Sequence, residues 1–400
     1  MQRARLILLL CFAVALMEGL DLQAGGLTVP AIRHELALSL GQMTTFLTAS
    51  TLGLFLGAIV GGRLSDLIAR QSILAVSVAV FGVFSIITAL CHGATELTFA
   101  RLLTGTGIGG ALPNLIALCA DNAPPNARKK WVAWVFAGVP LGGGIASTIS
   151  YTVGATNWRA LYYCGGVLPL LLVPLFFFRP GRSALPLRQA GPTQLPKIAS
   201  ALFGDGRLLT TITLWIAFCL MQLTSHLLLN WLPTLMVSRG FDSSHAALIQ
   251  IAYGVIGAAG CGVVGLMLSR FDARVVAIGV GGWLVVMLVL LATFAQTFAA
   301  VIICTGLASA GMMGCLVVNY ASAPLVYPAL VRGTGVGMAV AIGRIGSIVG
   351  PLLGGLLIGS YGSFGRVLAA IVPLVLIGAL CSAAVIFWAD RLVVVPLQKS

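Results

Sequence analysis

Two carboxylic acids three residues apart, Glu18 and Asp21, sit inside an apolar run from Leu6 to about Pro30. Residues at i and i+3 share a helix face. A run of this length can cross a bilayer, which takes about 20 residues at helical rise. Near the bilayer centre each ionised acid costs about 2.5–3.5 kcal/mol on insertion scales. A pair kept there points to chemistry rather than packing. The acids should face a water-filled path or a cationic partner, and they can shed their cost by binding a proton. Gln23 closes the same polar stretch and is a candidate contact for a substrate. Two bases lie inside other apolar runs, Arg344 within 333–358 and Arg101 within 96–120. Arg344 is at least eleven residues from either end of its run, too deep to snorkel with ease. Its permanently charged, forked guanidinium suits a carboxylate. Arg101 is nearer an end, where it either snorkels to the surface or pairs with the acids or with a substrate carboxylate.

Weaker candidates surround these four. Asn114 follows the glycine-rich stretch Gly105-Thr106-Gly107-Ile108-Gly109-Gly110. The stretch Leu229-Asn230-Trp231-Leu232-Pro233-Thr234 places Asn230 and Trp231 where a cavity wall could use them, and Pro233 is expected to break the helix there. His226, Gln222, Tyr253, Asn319 and Tyr320 are comparable. For each, an interhelical hydrogen bond is the ordinary alternative. Nucleophile–base pairs and metal-ligand clusters are not apparent, so an enzyme is not expected, and neither metal nor cofactor is implied. The nine cysteines fall almost entirely in apolar runs without Cys-x-x-Cys spacing and read as small buried hydrophobes.

The elements that must position these residues follow from composition. Of 400 residues, 59% are hydrophobic and only 8% are charged, against roughly 25% charged in soluble domains. The class is therefore an all-α polytopic membrane protein. Twelve apolar segments are expected near 6–30, 42–62, 72–92, 96–120, 131–153, 158–179, 207–231, 244–269, 275–294, 298–322, 333–358 and 364–391. The basic residues before the first run resemble a signal-peptide n-region, but the acids within the run and the lack of a clear cleavage site favour a retained first helix.

The net charge of +13 does not indicate nucleic acid, because the bases flank the apolar runs instead of clustering on a soluble module. With the N-terminus inside, seventeen Lys and Arg fall in inner segments and four in outer ones. Both termini are then cytoplasmic. The proline-rich stretch 180–206 separates a six-helix half, 1–179, from a second, 207–400. Gly62-Arg63-Leu64-Ser65-Asp66 with Arg70 is echoed by Gly265-Leu266-Met267-Leu268-Ser269 with Arg274, which suggests duplication. Two such halves with a midplane site between them is a transporter design.

The loop Gly62-x-x-x-Asp66-x-x-x-Arg70 resembles, in part, the cytoplasmic-loop signature of the major facilitator superfamily. There Asp66 could sit at the helix N-terminus near Gly333-Thr334, where the dipole favours an anion. Asp121 could pair with Arg70. A solvated turn is the alternative. Met17-Glu18-Gly19-Leu20-Asp21-Leu22-Gln23-Ala24, Leu229 to Thr234, and Tyr327-Pro328 through Arg332-Gly333-Thr334-Gly335 to Gly355 resemble the aromatic acid:proton symporter family, its phenylpropanoid-acid members most of all.

The resemblance spans nearly the whole chain. It implies the twelve-helix major facilitator fold and proton-coupled uptake of aromatic carboxylates across a bacterial inner membrane. Asp21 and Glu18 would carry protons, and Arg344, helped by Arg101, would bind the carboxylate. Partners would be a small aromatic acid, protons and lipid, with the chain acting as a monomer. An exporter on the same fold is the first alternative. Exporters favour Gly-x-x-x-Gly-Pro-x-x-Gly in the fifth helix, whereas here that spacing falls at Gly346 to Gly354 in the eleventh. A membrane receptor is the second.

Overall fold

A computed structural model describes residues 2–124, 127–153, 157–178, 196–237, 243–294, 297–361 and 364–394. The first six spans are α1 (Gln2–Glu35), α2 (Leu40–Leu67), α3 (Arg70–Leu90), α4 (Ala94–Asn122), the pair α5 (Arg128–Phe136) and α6 (Gly138–Thr152), and α7 (Arg159–Phe178). After the short α8 (Ile198–Phe203) come α9 (Leu208–Val237), α10 (Ser243–Arg270), α11 (Ala273–Thr293), α12 (Phe298–Val326), α13 (Arg332–Tyr361) and α14 (Phe364–Val394). Among the described residues, twelve spans are long and apolar enough to cross a membrane and there is no strand. Large apolar side chains such as Leu171, Leu352, Leu356 and Leu380 point outward, more than 60% exposed. On a soluble protein such a surface would aggregate; here it faces lipid.

Prolines explain where the helices depart from the sequence expectation. The fifth span is split because Pro140 has no N–H for the Phe136 carbonyl and crowds it, so α5 stops at Phe136. The expected break at Pro233 is not found, since α9 continues to Val237. Pro233 does withdraw the donor that the Leu229 carbonyl would have used, but the Gln250 side chain replaces it, with Nε2 donating to that oxygen at 3.0 Å. Similarly, α1 runs through Pro30 to Glu35. Most of the expected linker, 180–195, lies outside the described residues, as do Arg179, Arg182, Arg188, Arg239 and Lys399. Its end is not an open loop: α8 packs Ala201 and Leu202 inward, and Thr211 Oγ1 donates to the Leu202 carbonyl at 2.8 Å.

Small residues bring the spans together. A Cβ on Gly53, Gly57 or Gly61 of α2 would run into the α4 backbone at Leu102, Thr106 or Gly110. Between the first six spans and the last six, α2 meets α13 where Gly62 lies against Gly333 and Gly337. The second span of the later half mirrors this: Gly265 of α10 lies against Ala133 and Lys130 of α5. Both junctions sit toward the end of the molecule that carries Arg63, Arg70, Lys130, Arg270 and Arg332, called the basic end below.

Candidate functional site

The two acids of α1 do not share a partner. Their side chains sit about 60° apart around the helix, enough to send each toward a different neighbour. Asp21 turns into the first six spans. Arg101 Nη1 of α4 donates to Asp21 Oδ2 at 2.7 Å, and Ser85 Oγ of α3 donates to Oδ1 at 2.8 Å. Arg101 Nη2 reaches Ser50 Oγ of α2 at 3.1 Å. Its guanidinium lies 5.8 Å from the Phe46 ring centre and 5.5 Å from that of Tyr162, whose hydroxyl bonds Thr28 Oγ1 at 2.8 Å. Arg101 is 1% exposed and faces inward, so it does not snorkel. This is a buried ion pair in which both charges have hydrogen-bonding company, with Arg101 Nε alone of its nitrogens unpartnered. Arg101 offers no free fork to a substrate in this conformation.

Glu18 turns toward the last six spans instead. Arg344 Nη2 of α13 stands 3.8 Å from Glu18 Oε1, too long for a hydrogen bond. Neither Glu18 oxygen has a hydrogen-bond partner, although the residue is 0% exposed. Arg344 makes no hydrogen bond among the described residues, and Ser347 Oγ, one turn on, is also unpartnered. Phe218 and Gln222 of α9 lie against Gly343, next to Arg344, and Phe218 packs edge-on against Tyr320 of α12. His226 Nδ1 is 3.0 Å from the Gln222 carbonyl; that oxygen can only accept, so Nδ1 carries a proton.

Glycines set this geometry: a Cβ on Gly19 would strike the Val139 backbone of α6, and one on Gly346 the Cys219 carbonyl of α9. Substitution at either would push apart the helices that aim Glu18 and Arg344 at each other. An acid and a base that face each other, buried but not bonded, form an open pair able to accept a third charged group.

Polar contacts at the basic end close the two sets of spans against each other. Asp66 caps α13: its Oδ1 accepts from Gly333 N at 2.8 Å, and its Oδ2 accepts from Thr334 N and Thr334 Oγ1, both at 2.7 Å. Asp121 pairs with Arg70 and also accepts from Arg332 Nη1 at 3.1 Å. Arg63 donates to Thr334 Oγ1 at 3.4 Å and to the Pro196 carbonyl at 3.1 Å. In the sequence neither Arg63 nor Arg332 is a candidate site residue.

The remaining candidates are engaged in packing. Asn114 Nδ2 donates to the Gly61 carbonyl at 3.1 Å and to the Gly110 carbonyl at 2.8 Å, bracing α2 on α4. Asn230 Nδ2 bonds the His226 carbonyl of its own helix at 2.7 Å. Trp231 Nε1 donates to the Pro351 carbonyl at 2.7 Å while its indole covers Gly354 and Gly355. Gln23 Nε2 donates to Gln250 Oε1 at 3.0 Å. That links α1 to α10 on the far side of Glu18 from the basic end, and through Gln250 to α9. Gln250 has no signal in the sequence beyond being polar.

The Major Facilitator Superfamily model matches residues 11–275. The chain is 39% identical over 378 residues to the 3-(3-hydroxy-phenyl)propionate transporter of Escherichia coli strain K12, covering 94% of this chain and 93% of that one. It is 32% identical to the gallate transporter of Pseudomonas putida over 88% of this chain and 84% of that one. It is 29% identical to the 4-hydroxybenzoate transporter PcaK of Pseudomonas aeruginosa, with 95% and 91% covered. Among solved structures, the proton:xylose symporter XylE bound to 6-bromo-6-deoxy-D-glucose superposes with a TM-score of 0.77, covering 95% of each chain at 16% identity, a likeness of fold alone.

Proposed function

The chain belongs to the Major Facilitator Superfamily, and from that premise we propose that it imports small aromatic carboxylates together with protons across the bacterial inner membrane. The observation that carries the reading is the open pair of Glu18 and Arg344, each without a hydrogen bond and drawn from opposite sets of spans. An arriving carboxylate takes the Arg344 fork. Glu18 then loses its counter-charge and becomes free to bind a proton. The halves 1–179 and 207–400 rock about this point to change exposure. One proton neutralises one monovalent acid, so the loaded carrier crosses without net charge. The proposed path runs within one chain, so a monomer suffices. The excess of Lys and Arg at the basic end supports a cytoplasmic position for that end and for both termini. The relatives' named substrates support the aromatic acid.

The test is uptake of labelled 3-(3-hydroxyphenyl)propionate by cells expressing the chain. Accumulation should collapse with a protonophore, and a single cysteine at Lys130 in a cysteine-free background should resist an impermeant thiol reagent in intact cells. Failure to accumulate this or any benzoate or cinnamate contradicts the substrate. Insensitivity to the protonophore contradicts coupling, and rapid labelling from outside contradicts the orientation.

Asp66 serves in this cycle as the latch of the cytoplasm-sealed form. Losing a helix cap costs about 0.5–2 kcal/mol, and here the cap is also a contact between halves. Asp66→Ala should therefore slow turnover several-fold while changing substrate affinity less than twofold in detergent. Unchanged turnover would return Asp66 to a purely local helix-capping role.

A further inference from the structure

The hydroxyl of Tyr320 is buried and has no hydrogen-bond partner. Buried polar groups are nearly always bonded, and one left bare asks what completes it. Its ring packs against two others. Phe136 of α5 lies 4.5 Å from it between ring centres, tilted by 34°, and Phe218 of α9 lies 4.9 Å away, edge-on at 85°. One ring comes from each half of the protein, so Tyr320 sits where the two halves meet. The phenol cannot swing away to find another partner, so its direction is set before any ligand arrives. Phe218 also lies against Gly343, the residue next to Arg344, which brings the Tyr320 ring to the neighbourhood of the carboxylate site. Pro324, four residues on, adds to the local polarity by withholding the N–H that the Tyr320 carbonyl would otherwise receive.

We propose that Tyr320 determines ring specificity: its orphaned hydroxyl hydrogen-bonds a hydroxyl substituent on the aromatic ring of an acid whose carboxylate is held by Arg344. This deepens the proposed function and rests on it. The substrate class becomes ring-hydroxylated aromatic acids, in preference to unsubstituted ones. The chemistry is asymmetric. An acid with the ring hydroxyl satisfies Tyr320, whereas one without it leaves the phenol bare and gains nothing there.

Tyr320→Phe removes the hydroxyl and keeps the ring in its clamp. In the ligand-free protein it breaks no hydrogen bond, so its melting temperature in detergent should not fall. Binding of 3-(3-hydroxyphenyl)propionate and of 3-phenylpropionate is measured for wild type and variant by calorimetry in detergent. Wild type should favour the hydroxylated acid by about tenfold, the scale of one such hydrogen bond. Tyr320→Phe should bring the ratio close to one, with the loss falling on the hydroxylated acid alone. A variant that keeps the wild-type ratio, or weakens both acids equally, overturns the assignment of Tyr320 and leaves the aromatic-acid reading standing. Wild type binding neither acid overturns that reading and this one with it.

Discussion

Arg344→Lys is expected to fail as a transporter although it keeps the positive charge. The ammonium is a point donor, whereas the guanidinium offers two parallel N–H groups to the two oxygens of a carboxylate. Losing one charge-assisted hydrogen bond costs about 1.5–3 kcal/mol, roughly 10- to 150-fold in affinity. The same change leaves Arg101 untouched, since it is bound to Asp21 and Ser50. The control is chemical. The amide analogue of the preferred acid should bind wild type poorly and should be nearly indifferent to Arg344→Gln. If wild type binds acid and amide equally, or if Arg344→Gln weakens both alike, Arg344 is a structural charge.

Glu18→Gln is expected to abolish uphill accumulation while sparing exchange of labelled for unlabelled substrate. The amide holds the shape of a protonated glutamate but cannot release or take a proton. Coupling is lost without loss of the binding site. With the one proton per monovalent anion proposed above, accumulation in the wild type should follow the pH gradient. Each unit of that gradient supplies about 1.4 kcal/mol, a tenfold concentration ratio. Accumulation by Glu18→Gln equal to wild type would remove Glu18 from the coupling role.

The spans were readable because the bilayer leaves little choice: a hydrocarbon core demands runs of about 20 apolar residues. Charges inside such runs then stand out, which is why Glu18, Asp21, Arg101 and Arg344 were visible without a structure. Which acid meets which base was not visible. The i, i+3 spacing suggested one shared face, yet Asp21 finds Arg101 and Ser85 among the first six spans, and Glu18 finds Arg344. That choice depends on helix rotation and on close approaches such as Gly19 to Val139, which have no local signature. Pro233 was read as a break for a sound local reason, and a side chain nearly twenty residues on in another helix, Gln250, removed the reason. Asn114, Asn230 and Trp231 illustrate the same limit from the other direction. A polar residue in an apolar run shows that a hydrogen bond is made, not whether helix or ligand receives it. Tyr320 resembled any other tyrosine until its missing partner could be seen.

The division of the two acids makes the proton count the most direct test of the account. Asp21 is already held by Arg101, so Glu18 alone is free to respond when a carboxylate takes Arg344. Binding of 3-(3-hydroxyphenyl)propionate to the purified protein should be followed by calorimetry in buffers of different ionisation enthalpy. The slope gives the protons taken up per acid bound. The account predicts about one for wild type near neutral pH and none for Glu18→Gln, with substrate still bound. No proton uptake in wild type, or undiminished uptake in Glu18→Gln, would contradict it.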